Sequence, residues 1–207
     1  MARDRKKELK HRYILIAVWV VFLAVLGGFG YFAFKKKAVV EEDLGITSRF
    51  SYQTNANPDI NALITIYLHA LSACDQETLK SCVTDPSQFD NMTPYQSQSM
   101  IITAYNNINC YTVKGLDDDS TIVYAVTNIS IVNVESTPLD IMRFYVVKKD
   151  GQYLIDNSIL SDKVQKYMDK ANKDKDIQEL YELVDKDEKE KAEQDPALKE
   201  FLDRLYN

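Results

Sequence analysis

The chain has 207 residues, of which 45% are hydrophobic and 27% are charged, and this composition excludes disordered, collagen-like and disulfide-dense proteins. Residues 1–37 carry nine Lys or Arg and two acids, whereas the rest carries 16 basic and 29 acidic residues, a net charge of −13. Because phosphate contacts need a basic surface, this acidic body argues against nucleic acid as a partner. The length allows one domain with a hydrophobic core, even after a membrane segment is subtracted.

Residues 13–34 form a run of 22 residues without a charge. As a helix this run would be about 33 Å long, which matches a hydrocarbon core of roughly 30 Å. The alternative is a cleaved signal peptide, but the run is too long and no small-residue cleavage site follows it. The sequence therefore predicts an uncleaved signal-anchor, a single-pass transmembrane helix in the lipid bilayer of the cell membrane.

The charges that flank this run predict its orientation. Residues 1–12 hold six Lys or Arg, and residues 35–49 hold four. The positive-inside rule then places the basic tail, 1–12, in the cytoplasm and the C-terminal domain outside. Residues 35–56 are mixed and polar, and we interpret them as a stalk.

Three helices are predicted after the stalk. Asn57 is expected to cap the first, Asp75 to cap a short second, and Thr93 to open a third that ends near Asn106. Apolar side chains recur at helical spacing along the first helix at Ile60, Leu63, Ile64, Tyr67 and Leu71.

From Cys110 the apolar period changes to that of strands. Four strands are predicted, near 111–114, 121–134, 139–148 and 152–156. Asp150-Gly151 between the last two is a strong hairpin signal. Helices first and an antiparallel sheet afterwards indicate an α+β fold.

The segment 161–207 is charged and helical in pattern. It carries two apolar stripes, one formed by Ile177, Leu180, Tyr181 and Val184 and the other by Leu198, Phe201, Leu202 and Leu205. Between them, residues 185–195 have no apolar face. We therefore expect two short amphipathic helices joined by a solvated segment, which pack on the domain or, less favourably, on a partner.

The chain has three cysteines, Cys74, Cys82 and Cys110, so at least one must be unpaired within a single chain. Cys74 and Cys82 could pair across a turn between two helices, but three small buried residues is the favoured interpretation. No cysteine stands at ligand spacing from a histidine or in a CxxC pair, and the sequence predicts neither a metal site nor a cofactor.

The order of elements over residues 57–160 resembles the nuclear-transport-factor-2-like (cystatin-like) superfamily. The residues that carry the resemblance are Ile64-Thr-Ile-Tyr67-Leu-His-Ala70-Leu-Ser-Ala-Cys-Asp75, Tyr111-Thr-Val-Lys-Gly115, Val123-Tyr-Ala-Val126 and Arg143-Phe-Tyr-Val-Val147. The resemblance implies about four curved antiparallel strands around the first helix, with a conical cavity that family members use as an enzyme pocket, as a ligand cup or not at all. Fold alone does not decide among these uses.

A cavity of this kind would need convergent polar side chains to bind or react. The candidates for its lining are Tyr67, His69, Tyr124 and Tyr145. Asp75 and Asp140 are further acid–base candidates, but Asp75 is better explained as a helix cap, and a lone histidine on a helix, such as His69, is more often a surface or satisfied core residue. No catalytic residue is predicted.

These patterns together predict a membrane-anchored extracytoplasmic binding or scaffolding domain. Its expected partners are a second copy, another subunit of a membrane complex, or a small ligand. A short cytoplasmic tail, one membrane helix and such a domain also resemble the bitopic assembly subunit of type IV secretion and conjugation systems. A small-molecule enzyme is the remaining alternative.

Overall fold

The computed structural model describes residues 50–206. The predicted basic tail (1–12), transmembrane helix (13–34) and first part of the stalk (35–49) lie outside the described residues. Between residues 50 and 206 the chain forms an α+β fold with one five-stranded antiparallel sheet and six α-helices. None of these helices is long and apolar enough to cross a bilayer.

Three helices begin the domain, as predicted, and they are α1 (Pro58–Ala73), α2 (Gln76–Ser81) and α3 (Thr93–Ser99). The Asn57 side chain caps α1 by accepting hydrogen bonds from the backbone N–H groups of Asp59 and Ile60. Asp75 caps α2 by accepting from the N–H and the hydroxyl of Thr78. A 3-10 turn, Pro86–Phe89, lies between α2 and α3 and was not predicted.

The sheet has the order β1-β2-β3-β4-β5, and all neighbours are antiparallel. Its strands are β1 (Gln53–Thr54), β2 (Ile102–Lys114), β3 (Ser120–Ile131), β4 (Leu139–Lys149) and β5 (Gln152–Ile155). Asp150 and Gly151 form the β4–β5 hairpin with positive φ angles of 51° and 83°, so the predicted hairpin is confirmed. β1 comes from the predicted stalk, whose end is therefore part of the sheet.

The third helix is shorter than predicted, because residues 102–109 belong to strand β2. The register between β2 and β3 shifts between Asn106 and Asn109, where β2 holds one extra residue and Asn107 has a φ of 51°. This β-bulge turns Tyr105, Ile108 and Cys110 toward the same core, at spacings of three and two. Because such spacing resembles the apolar stripe of a helix, the sequence pattern wrongly extended the third helix to about Asn106.

The C-terminal segment forms three helices rather than two. They are α4 (Asp162–Asn172), α5 (Lys175–Gln194) and α6 (Pro196–Tyr206). The charged run that was predicted to be a solvated segment joining two short helices is the second half of α5. Ion pairs one turn apart support it, with 3.8 Å between Lys186 Nζ and Glu190 Oε1 and 2.9 Å between Lys191 Nζ and Asp187 Oδ1.

Two hydrophobic cores lie on opposite faces of the sheet. The first core is formed by α1, α2, α3 and the 3-10 turn against one face, with Val123, Ala125 and Val146 from the strands. The second core is formed by Phe50, α4 and the first half of α5 against the other face. The C-terminal helices thus cover a sheet face that would otherwise be apolar and exposed.

α5 passes from the second core to the first along the side of β4. β5 pairs only with the end of β4, from Val146 to Lys149, so the beginning of β4 lacks a strand on that side. α5 contacts β4 there, and the Leu139 N–H donates to Asp187 Oδ2 at 2.7 Å. Ala192 and α6 then pack against the first core, where Leu198 is completely buried. A helix therefore protects this open edge of the sheet.

All three cysteines are free thiols. Cys82 and Cys110 are buried, and Cys74 is half-buried in the left-handed conformation that ends α1. Burial raises the pKa of the Cys110 thiol to about 11. The favoured interpretation of small buried residues therefore holds for Cys82 and Cys110, and no Cys74–Cys82 disulfide is present.

Candidate functional site

Tyr67 lies in the middle of α1 and points into the first core. Its ring meets the rings of Phe89 and Phe144 edge to face, with centroids 6.5 Å and 5.6 Å apart, and Phe89 in turn packs on Tyr95 at 4.9 Å. Burial is the main cause that raises the pKa of Tyr67. The space between α1 and the sheet at this point is therefore occupied by aromatic side chains of the chain itself.

Tyr105 is a buried polar residue of the first core, and Asp140 at the start of β4 is a half-buried carboxyl close enough to influence it. The buried Tyr105 hydroxyl accepts a hydrogen bond from Gln98 Nε2 at 3.1 Å. Asp140 Oδ1 accepts from the neighbouring Ile141 N–H at 2.9 Å, and burial raises the pKa of the Asp140 carboxyl. The pKa of Glu188 on α5 is also raised, by burial and then by the nearby charges of Asp185 and Asp140. These groups place a desolvated carboxyl where β4 meets α5.

Tyr124 and Tyr145 belong to the second core, on the other side of the sheet from Tyr67. The Tyr124 hydroxyl donates to Asn172 Oδ1 at 2.6 Å, and the Tyr145 hydroxyl donates to Ser120 Oγ at 2.8 Å. α4 and α5 cover both rings. Their hydroxyl groups are therefore engaged in holding the C-terminal helices and the β2–β3 turn, away from any space beside α1.

His69 is exposed on the outer side of α1, which agrees with the expectation that a lone histidine on a helix is more often a surface residue. The four predicted cavity residues are thus not brought together. Tyr67 faces the first core, Tyr124 and Tyr145 face the second, and His69 faces solvent. The physical reason is strand alternation, since Tyr124 and Tyr145 occupy the positions on β3 and β4 whose side chains point away from α1.

Arg143 is a buried charged residue that sequence reasoning did not single out. Its side chain is 5% exposed under α4, with Nη1 3.5 Å from Asp169 Oδ1 and 3.5 Å from the Met168 carbonyl oxygen. A guanidinium in such a place needs acceptors, and α4 supplies them. The sequence feature that could have identified Arg143 is the presence of an arginine within the otherwise apolar strand segment Ile141–Val147. Its side chain faces away from α1.

Asp195 is a half-buried carboxylate that accepts several hydrogen bonds between α5 and α6. Its Oδ2 accepts hydrogen bonds from the Glu135 N–H and from the N–H and hydroxyl of Ser136, while Oδ1 caps α6 through Ala197 and Leu198. The hydrogen bonds from Ser136 lower the pKa of Asp195 to about 2. This residue therefore ties the loop between β3 and β4 to the start of α6.

Between residues 50 and 206, no group of three or more His, Cys, Asp or Glu side chains is placed to hold a metal ion. Comparison of the chain with protein families, with curated proteins and with solved structures finds no match.

Proposed function

We propose that this chain is a single-pass membrane protein that displays its C-terminal domain outside the cytoplasm as a protein-binding or scaffolding module. The uncharged run 13–34 and the excess of basic residues before it support the anchor and its orientation. The three helices followed by an antiparallel meander support a nuclear-transport-factor-2-like (cystatin-like) domain, to which β1 and the C-terminal helices are added.

The observation that carries the binding or scaffolding role is the filling of the space between α1 and the sheet. Tyr67, Phe89 and Phe144 pack ring against ring there, and α6 adds the fully buried Leu198 to the same core. A small-molecule enzyme needs polar groups that converge on an open space. Here the predicted cavity residues are divided among the first core, the second core and the solvent-exposed side of α1. This division favours binding of macromolecules over catalysis.

The runner-up is an assembly subunit of a conjugation or type IV secretion-like membrane complex. The architecture of tail, membrane helix and folded domain favours it, and it is a special case of the scaffolding role. The small-molecule enzyme is the least favoured candidate, because it would require Tyr67 and its aromatic neighbours to move apart.

Cysteine labelling in intact cells tests the proposed topology. The parent chain carries Cys74→Gly and keeps the buried Cys82 and Cys110. Into it we place either Ile159→Cys, at a side chain that is 100% exposed, or Lys7→Cys in the basic tail. We expect a membrane-impermeant maleimide to label the Ile159→Cys chain in intact cells, and the Lys7→Cys chain only after lysis.

The parent chain without an added cysteine should stay unlabelled, because its remaining thiols are buried. The opposite labelling pattern would overturn the orientation, and labelling of both chains only after lysis would overturn display outside the cytoplasm. Native mass spectrometry of the detergent-solubilised full chain then tests the role. We expect no retained small molecule, and a stoichiometric one would favour the enzyme or ligand-cup alternative.

A further inference from the structure

Four exposed lysines follow one another along α4. Their spacings are three, four and three residues, so their side chains share one side of the helix, next to the side that is buried in the second core. We call them the lysine row, and they are Lys163, Lys166, Lys170 and Lys173, the last of which ends the helix.

The lysine row is a basic surface on an acidic body. Residues 38–207 carry a net charge of −13, but residues 161–175 hold five lysines and three aspartates, a net charge of +2. One of these aspartates, Asp169, lies 3.5 Å from the guanidinium of the buried Arg143, which offsets its charge. Residues 176–207 hold five basic and 11 acidic residues, a net charge of −6. Positive charge is therefore concentrated on α4.

The chain that comes from the predicted membrane helix enters the domain beside α4. Phe50 packs on Tyr167 of α4 with ring centroids 5.3 Å apart, and its backbone N–H donates to Asp174 Oδ2 at 3.2 Å. Lys163 and Lys170 lie four residues before Tyr167 and three residues after it, so the lysine row borders this point of entry. The stalk is therefore attached to the domain on the side that carries the lysine row.

The length of the stalk keeps this side of the domain close to the bilayer. Residues 35–49 separate the uncharged run 13–34 from Phe50, and a fully extended chain of that length spans only about 50 Å. The membrane surface is thus present at a high effective concentration. An anionic surface attracts lysines within about 10 Å, the Debye length at 0.1 M salt, and it repels the acidic remainder of the body.

We propose that the lysine row binds the anionic phospholipid headgroups of the bilayer in which the chain is anchored, and that this contact holds α4 against the membrane. The stalk keeps the lipid surface within reach, whereas an acidic protein partner would have to be recruited from solution. The first core, on the other face of the sheet, is then turned away from the bilayer, where it can meet a protein partner. This inference rests on the proposed anchor but not on its orientation.

Quenching by lipid headgroups in nanodiscs tests the contact in the full chain. The Cys74→Gly parent receives Lys166→Cys, which carries a fluorophore and leaves three lysines of the row in place. The nanodiscs contain phosphatidylcholine with or without about 30% phosphatidylglycerol, and a small fraction of lipid with a quencher on its headgroup. We expect quenching to be at least about twofold stronger in the anionic nanodiscs, and this difference to disappear in 1 M salt, where the Debye length is about 3 Å.

A fluorophore at Met100→Cys is the control for position. This side chain is 74% exposed and lies just before the start of β2, whereas Tyr167 of α4 donates to the Lys114 carbonyl at the other end of that strand. Its quenching should therefore not respond to the charge of the lipid.

Two triple replacements by glutamine, each made in the Lys166→Cys chain, test the charge itself. Replacement of Lys163, Lys170 and Lys173 should abolish the response to phosphatidylglycerol. Replacement of three exposed lysines on α5 and α6 removes the same charge and should leave the response unchanged, and these are Lys186, Lys189 and Lys199.

Equal quenching at position 166 in neutral and anionic nanodiscs would overturn the proposal and favour an acidic protein or a second copy as the partner of the lysine row. A response that survives the loss of the lysine row, or that both triple replacements abolish equally, would also overturn it. A chain that does not enter the nanodiscs would overturn the anchor, and this inference with it, so the two failures are distinguishable. A reversed labelling pattern in cells would overturn the topology alone.

Discussion

Gly115 lies where β2 enters the turn to β3, and its backbone N–H donates to the Ser120 carbonyl at 3.0 Å. A Cβ atom at position 115 would stand 2.2 Å from Ser120 Oγ and 2.5 Å from the Ser120 carbonyl carbon. The second contact is with backbone, so no rotation of the serine side chain removes it. We expect Gly115→Ala to lower the free energy of unfolding by about 1–3 kcal/mol, measured by urea denaturation.

Gly151→Ala is the matched control for this prediction. No atom lies within 4 Å of a Cβ at that position, but its φ of +83° is unfavourable for alanine. The loss should be about 1–2 kcal/mol and come from backbone strain alone. Wild-type stability of the Gly115→Ala chain would contradict the close approach of β2 and β3 at their turn.

Asp140 provides a pH-dependent prediction. Burial raises the pKa of its carboxyl in the folded protein, so the folded state holds the Asp140 proton at pH values where the unfolded chain, with a pKa of about 3.9, has released it. This group therefore lowers stability as pH rises above about 4. Asp140→Asn removes the charge and can keep the hydrogen bond from the Ile141 N–H.

We expect Asp140→Asn to have a higher melting temperature than wild type at pH 7 and no advantage below about pH 3.5. Thermal unfolding at a series of pH values measures this difference. Asp119→Asn, in the exposed β2–β3 turn, is the control and should change the melting temperature little at either pH. A constant gain for Asp140→Asn at every pH would show that its cause is packing rather than charge.

At the scale of elements, the caps and the hairpin were predictable because their causes are local. Asn57, Asp75 and Asp150-Gly151 each act within three or four residues, and each does what its sequence indicated. The β-bulge near Asn107 was not predictable in this way. Its cause is the pairing of β2 with β3, which lies about 20 residues away, and the bulge changes the apparent period of the apolar residues.

α6 shows an element whose stability depends on the rest of the fold. It has 11 residues, too few for a stable isolated helix in water, so its order must come from packing. Leu198→Ala removes the one fully buried side chain among residues 196–205 of this helix. We expect a loss of about 2–5 kcal/mol in the free energy of unfolding, measured by urea denaturation of the full chain in detergent.

Leu183→Ala on α5 is the control, since that side chain is 47% exposed and its removal should cost less than about 0.5 kcal/mol. Equal small losses for both leucines would mean that α6 contributes no stability to the first core. Acidification provides an independent check, because the Asp195 contacts that begin α6 should weaken as pH falls from about 4 to about 2.

At the scale of the whole molecule, the candidate site was the least predictable feature. To predict which residues line a cavity, one must know which side of each strand faces α1. That side depends on the register across β2, β3 and β4. Tyr124 and Tyr145 occupy strands that were correctly predicted, yet they serve the second core. The apolar stripes of the C-terminal segment correctly indicated buried surfaces, but the sheet face that they cover could not be derived from helical spacing.

The second core makes the C-terminal helices indispensable to the sheet. Tyr124, Tyr145 and Ile122 are buried only because α4 and α5 lie over them, and Arg143 would lose its acceptors on α4. We expect a chain that ends at residue 160 to lose cooperative unfolding and to bind a hydrophobic dye, as measured by near-ultraviolet circular dichroism and dye fluorescence.

A chain that ends at residue 195 is the matched control, because it keeps α4, α5 and the cover over the open side of β4. It should unfold cooperatively with a lower midpoint, since only the contribution of α6 is missing. A chain ending at 160 that unfolds at the wild-type midpoint would show that residues 57–160 are sufficient and that the second core adds nothing. The two truncations therefore distinguish the role of α6, which completes the first core, from that of α4 and α5. Without α4 and α5, the second face of the sheet would be exposed to solvent.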